Sequence, residues 1–189
     1  EICRKAMRQD PAERYQTAHP DEPEGFYYAG LVAQSEGDVD AAVAAYTSAL
    51  TVQPQAIQPL SQLVKTLLAA NRKDEAVARL EETIELTPGH FVARNLLGEV
   101  RAAEGDREAA KTQFREATEL QPSWPIPYRN LAAVLLQEEK TDEARAVLED
   151  GVEQTRGQPL LVTALAGLLE RTGELDTAIE NYEKILSEQ

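Results

Sequence analysis

The sequence predicts an all-α protein made of antiparallel helix pairs laid in tandem. Three observations carry this. Pro54, Pro88 and Pro122 recur 34 residues apart. Apolar residues recur at three- and four-residue spacing, the period of a helix face and not the alternation of a strand. Gly37-Asp38, Gly105-Asp106 and Gly173-Glu174 stand at the same place in the period and read as helix ends, where glycine tolerates the left-handed conformation. A fixed period of this length marks a repeat architecture. Anchored on the prolines, the chain divides into five units, 23–56, 57–90, 91–124, 125–158 and 159–189.

The elements follow in chain order. Residues 1–22 read as the end of a preceding repeat helix plus a loop insertion. Cys3 takes the bulky place, Ala6 the small one and Pro11 the stop, and Pro20 and Pro23 mark the loop around Arg14–Glu22. Cys3 reads as a small buried hydrophobe. Each unit then holds a helix A, a short turn and a helix B. Helix A carries a small-residue position at Gly30, Val64, Gly98, Ala132 and Ala166. Helix B opens with an acid at Asp40, Asp74, Glu108, Asp142 and Asp176, a charge that complements exposed amides and the helix dipole. Ala42, Ala76, Ala110, Ala144 and Ala178 let the two helices approach. Tyr46, Leu80, Phe114, Leu148 and Tyr182 fill the space between units, and Ala49, Thr83, Ala117, Gly151 and Ile185 follow three residues on. Proline stops helix B. Val64 and Thr83 are large for their places, which predicts a wider helix pair in the second unit. Arg156 replaces the stop proline in the fourth unit, with Gly157 and Pro159 following, which predicts altered packing after it. Gln189 falls one residue before the fifth stop and no polar capping helix follows. The chain therefore reads as a piece of a longer array whose apolar end favours end-to-end self-association.

Charge limits the function classes. The net charge is -14 and the pI about 4.6, so nucleic acid phosphates and anionic membranes are repelled. Most of that charge reads as a solubility device. The single cysteine excludes an intrachain disulfide. No apolar run approaches the roughly 20 residues of a membrane span. Catalytic chemistry has little to draw on. His19 falls in the loop and His90 in an inter-unit turn, neither beside a cysteine as a zinc site requires. Phosphate-binding glycine loops and nucleophile motifs are missing. Glu81-Glu82 and Glu138-Glu139 read as solvated helix faces. No enzyme activity, cofactor or metal is expected.

The pattern of these residues resembles the tetratricopeptide repeat. Unit 1 supplies Phe26, Gly30, Ala42, Tyr46, Ala49 and Pro54; unit 3 supplies Leu97-Gly98, Ala110, Phe114, Ala117 and Pro122. The resemblance runs over residues 23–189 and implies a right-handed superhelical solenoid of antiparallel helix pairs, with a concave groove lined by the A helices. Carrying over the family's groove positions gives Tyr27, Leu31, Gln34, Lys65, Leu68, Asn95, Glu99, Arg129 and Leu136 as the principal candidates. Glu24, Gln58, Glu170 and Arg171 fall at other groove positions. Lys65, Arg129 and Arg171 balance Glu24, Glu99 and Glu170, so the implied groove is neutral. It suits an extended segment or amphipathic helix of a protein partner. The chaperone-tail carboxylate clamp of some family members is disfavoured, because Tyr27 and Leu31 stand where Lys and Asn belong. Trp124 reads as packing between units 3 and 4 before it reads as a binding hot spot. The expected function is a protein-interaction scaffold. The alternative is a recruiting module of a larger enzyme such as a glycosyltransferase or sulfotransferase. The alanine-rich, acidic style is similar to bacterial members tied to exopolysaccharide export and protein sorting, which leaves cytoplasm and periplasm equally open.

Overall fold

The computed structural model describes residues 23–174, 176–180 and 183. The expectations for Cys3, Ala6, Pro11, His19, the loop around Arg14–Glu22, Tyr182, Ile185 and Gln189 lie outside the described residues. The described chain is helical throughout: α1 (Pro23–Glu36), α2 (Val39–Val52), α3 (Ile57–Ala69), α4 (Lys73–Leu86), α5 (Phe91–Glu104), α6 (Arg107–Leu120), α7 (Pro125–Gln137), α8 (Thr141–Gln154) and α9 (Pro159–Thr172). A further helical stretch covers 176–180. The helices fall into two compact bodies, one ending at Ala93 and one beginning at Arg94.

In the first body α1 packs on α2, α2 on α3 and α3 on α4, and α1 also touches α3. Tyr46 and Leu80 occupy its centre with no exposure, beside the small Ala42 and Ala76. The ring of Tyr46 lies so close over Gly30 that any Cβ there would overlap it. Leu60, Leu63 and Leu67 of α3 complete the core. Val64 is buried at 2% exposure and shares its repeat with Leu80, a smaller group than a tyrosine ring. Thr83, unlike the fully buried Ala49 and Ala117 of neighbouring repeats, is only half-buried.

In the second body α6 packs on α7, α7 on α8, and α9 on both α7 and α8. Phe114 repeats the tyrosine arrangement: a Cβ built on Gly98 would sit 2.6 Å from its ring. Tyr128, Leu131, Leu135, Leu148, Leu161 and Leu165 form one continuous core around it. Gly151 passes close to Tyr128 and Leu161, where a Cβ would come within 2.8 Å of each.

The turns obey the period more strictly than their residue types do. Residues 37, 71, 105, 139 and 173 all adopt positive φ, at 80°, 59°, 84°, 61° and 86°. Three are glycines; Asn71 and Glu139 take the same left-handed conformation without being so. Asp38 and Asp106 cap α2 and α6, accepting from the N–H of Ala41 at 3.0 Å and of Ala109 at 3.1 Å. Where Arg72 and Lys140 stand instead, no side chain caps the helix, and two acids occupy the first turn. The B helices of the first three repeats end two residues before their proline, at Val52, Leu86 and Leu120. The fourth turns by a different device: Arg156 and Gly157 are successive left-handed residues, at φ 56° and 81°.

Candidate interaction surfaces on the A helices

In the first body, Tyr27, Leu31 and Gln34 follow one another along one face of α1, and Lys65 and Leu68 along one face of α3. Lys65 is exposed and Leu68 is 42% exposed. Tyr27, Leu31 and Gln34 are half-buried. Two of these three serve the core as well. The Tyr46 hydroxyl donates to Gln34 Oε1 at 2.8 Å, and the Tyr27 and Tyr46 ring centres lie 6.1 Å apart. Burial, with Tyr27 nearby, pushes the Tyr46 phenol up to about 12. Tyr27 also meets Tyr28 edge-on at 5.6 Å, and the two line a cleft of about 220 Å³ with Glu24, Gln58 and Pro59. This cleft brings α1 and α3 residues together; Leu31, Gln34, Lys65 and Leu68 do not line it.

In the second body the polar candidates are joined. Asn95 is buried at 3% exposure. Its amide donates to Glu99 Oε1 at 2.8 Å. Asn130, on α7, donates to Asn95 Oδ1 at 3.1 Å and to Glu99 Oε1 at 2.9 Å. Arg129 donates to Asn130 Oδ1 at 3.2 Å. Asn95 thus orders the cluster from beneath, while Glu99 and Arg129 are exposed. Leu136 is partly buried against the core of this body. Asn130 was not among the sequence candidates. It follows Asn95 by 35 residues, one out of register, so counting by the period passes over it. Trp124 is half-buried at the N-terminus of α7.

Ion pairs elsewhere tie repeat to repeat. Lys111 on α6, 3% exposed, donates to Glu108 and Glu138, each at 2.7 Å; both carboxylates hold its ammonium well above the usual lysine range. Lys111, and Lys140 after it, hold the Glu138 carboxyl below its ordinary value. One repeat on, Arg145 grips both oxygens of Glu174 and lowers that carboxyl likewise. His90 is a buried cap: Nδ1 accepts the Ala93 N–H at 3.1 Å at the start of α5. Burial lowers its pKa. Among the described residues no three His, Cys, Asp or Glu side chains gather as a metal site requires. No described helix is long and apolar enough to cross a membrane.

Comparison with known proteins agrees with this geometry. Two tetratricopeptide repeat profiles match residues 33–100 and 100–159, together the greater part of the chain. The human tetratricopeptide repeat protein 7A is 31% identical over 118 residues, 62% of this chain. Cellulose synthase operon protein C of Pseudomonas fluorescens (strain SBW25) is 25% identical over 165 residues, 82% of this chain. The chain spans 13% of the length of each of these relatives. Among solved structures, yeast Tom70 superposes with a TM-score of 0.75 at 20% identity, over 95% of this chain and 40% of that one. The registered helix pairs, the glycine-on-ring packing and the profile matches have one meaning: the chain belongs to the tetratricopeptide repeat family.

Proposed function

We propose that the chain is a non-catalytic scaffold that holds an extended segment or a helix of a partner protein against the faces of its A helices. One observation carries this reading. In the first body α1 and α3 present the apolar Leu31 and Leu68 with the charged pair Glu24 and Lys65; in the second, α5 and α7 present Leu136 with Glu99 and Arg129. A surface with both apolar anchors and balanced charges suits a peptide better than a polyanion or a small substrate. Tyr27, Gln34 and Asn95 support it from below: Tyr27 and Gln34 pack against Tyr46, and Asn95 fixes Glu99. Family membership supports protein binding in general, and the buried His90 serves as a helix cap through Nδ1.

The test is capture of partners from the native source, identified by mass spectrometry. Leu68→Glu and Arg129→Glu change exposed positions and leave the far-ultraviolet circular dichroism intact. Each is expected to reduce capture about tenfold or more, the loss typical of a hot-spot residue. Capture undiminished in both variants overturns the reading.

A further inference from the structure

The first body carries a second surface that no A-helix candidate lines. Between α2 and α4 runs a cleft of about 240 Å³. Leu50 and Pro54 form one side, Leu86 the other, and the core residue Leu63 its floor. Threonines at 47, 51, 83 and 87 complete the walls. Thr51 and Thr83 donate their hydroxyls back to the helix carbonyls of Thr47 and Arg79, which leaves the walls largely apolar in character. Thr83 stands where the first, third and fourth repeats carry Ala49, Ala117 and Gly151, and it lines this opening. Leu86 is 70% exposed, a large apolar side chain that folding leaves in water.

Size and charge name the occupant. The cleft is smaller than the roughly 300–1,000 Å³ of small-molecule sites, so it fits a single aliphatic side chain. Its surroundings are acidic. Asp40, Asp74, Glu75, Glu81, Glu82 and Glu85 stand on α2 and α4 against Lys73 and Arg79, and Arg79, the cation that lines the cleft, is already paired with Glu82 at 3.1 Å. At the other end Arg72 is held between Asp40 and Glu75 at 2.6 and 2.7 Å. We infer that this cleft docks a basic amphipathic helix of a partner protein, with one branched aliphatic side chain seated between Leu50 and Leu86. Lysines or arginines flanking that anchor face Glu85 and compete with Arg79 for Glu82. Opposite charge speeds and orients such an encounter, and apolar burial holds it.

The test uses the whole chain and a synthetic helix of leucine and lysine, about 18 residues or five turns long, with a scrambled peptide of the same composition as control. Titration followed by backbone NMR is expected to saturate at one peptide per chain, with shifts at Thr47, Leu50, Thr83 and Leu86. Leu86→Glu and the pair Glu82→Lys with Glu85→Lys alter exposed side chains. Each is expected to weaken binding about tenfold, and the charge variant also to flatten the salt dependence. Equal binding of the scrambled peptide, shifts confined to α1 and α3, or unchanged affinity of Leu86→Glu each overturns the assignment. Loss of partner capture by the Arg129 and Leu68 variants is independent of this result.

Discussion

At the scale of residues, the helix pairs are set by a reciprocal choice of size. The small position of helix A and the bulky position of helix B stand 16 residues apart, and in the structure the two glycine–ring pairs are close contacts. Glycine accompanies a ring at Gly30–Tyr46 and Gly98–Phe114; Val64 and Ala132 accompany Leu80 and Leu148. Gly98→Ala is therefore expected to cost about 1–3 kcal/mol by overpacking, read from urea unfolding. In a Phe114→Leu background the same change is expected to cost much less, and equal costs in the two backgrounds disprove the coupling. Tyr46 also links the core to pH. Its phenol ionises near 10 when unfolded and at about 12 in the fold, so folding favours the neutral form. That contribution is complete below pH 10 and is lost as pH rises through about 12. Tyr46→Phe removes this part of the alkaline loss, seen as a smaller fall in the urea midpoint between about pH 9 and pH 11.

At the scale of elements, the turns show what a sequence states and what it leaves to geometry. The all-helical fold and the small–large positions at Gly30–Tyr46 and Gly98–Phe114 were legible, because each rests on residue types repeated at a fixed interval. The left-handed turns at 71 and 139 were not, since Asn and Glu give no signal there comparable to glycine. The conformation is imposed by the helices on either side. Glu139 has no local reason to adopt it, and a non-glycine residue in that region costs roughly 1–2 kcal/mol. Glu139→Gly is expected to raise stability by about 0.5–1 kcal/mol after the added freedom of the unfolded chain is set against it. A lower midpoint in urea overturns this. The first-turn acids stand where the period places them. The acids at Asp40 and Glu108 serve the dipole of the first turn, whereas the direct hydrogen bonds come from Asp38 and Asp106. The candidate surface was legible only as positions. That Asn95 is buried and Asn130 completes its cluster depends on neighbouring helices meeting one residue out of register, which no single repeat contains.

At the scale of the whole molecule, acidity is distributed and not uniform in its consequences. Glu138 and Glu174, both in the second body, have carboxyls held below their ordinary values by Lys111 and Arg145. A lowered carboxyl contributes stability that is present above its unfolded pKa and is lost as pH falls through the folded one. Between neutral pH and about pH 4, amide exchange in α7–α9, corrected for intrinsic rates, is expected to accelerate more than in α1–α3. Equal acceleration counts against the role of these pairs. The assignment of two surfaces, one on A helices and one between B helices, divides the charge in the same way: balanced residues where a neutral segment is expected, carboxylates where a basic one is.

The left-handed turns carry one more consequence. At Gly37, Gly105 and Gly173 an added Cβ would meet nothing within 4 Å, so the tip of each hairpin is crowded only by its own backbone. Exposed turn tips of this kind are where added chain is best tolerated. The period that spaces the helices thus also spaces sites of permitted growth, and a lineage could lengthen this protein at its hairpin tips while every buried contact stayed as it was.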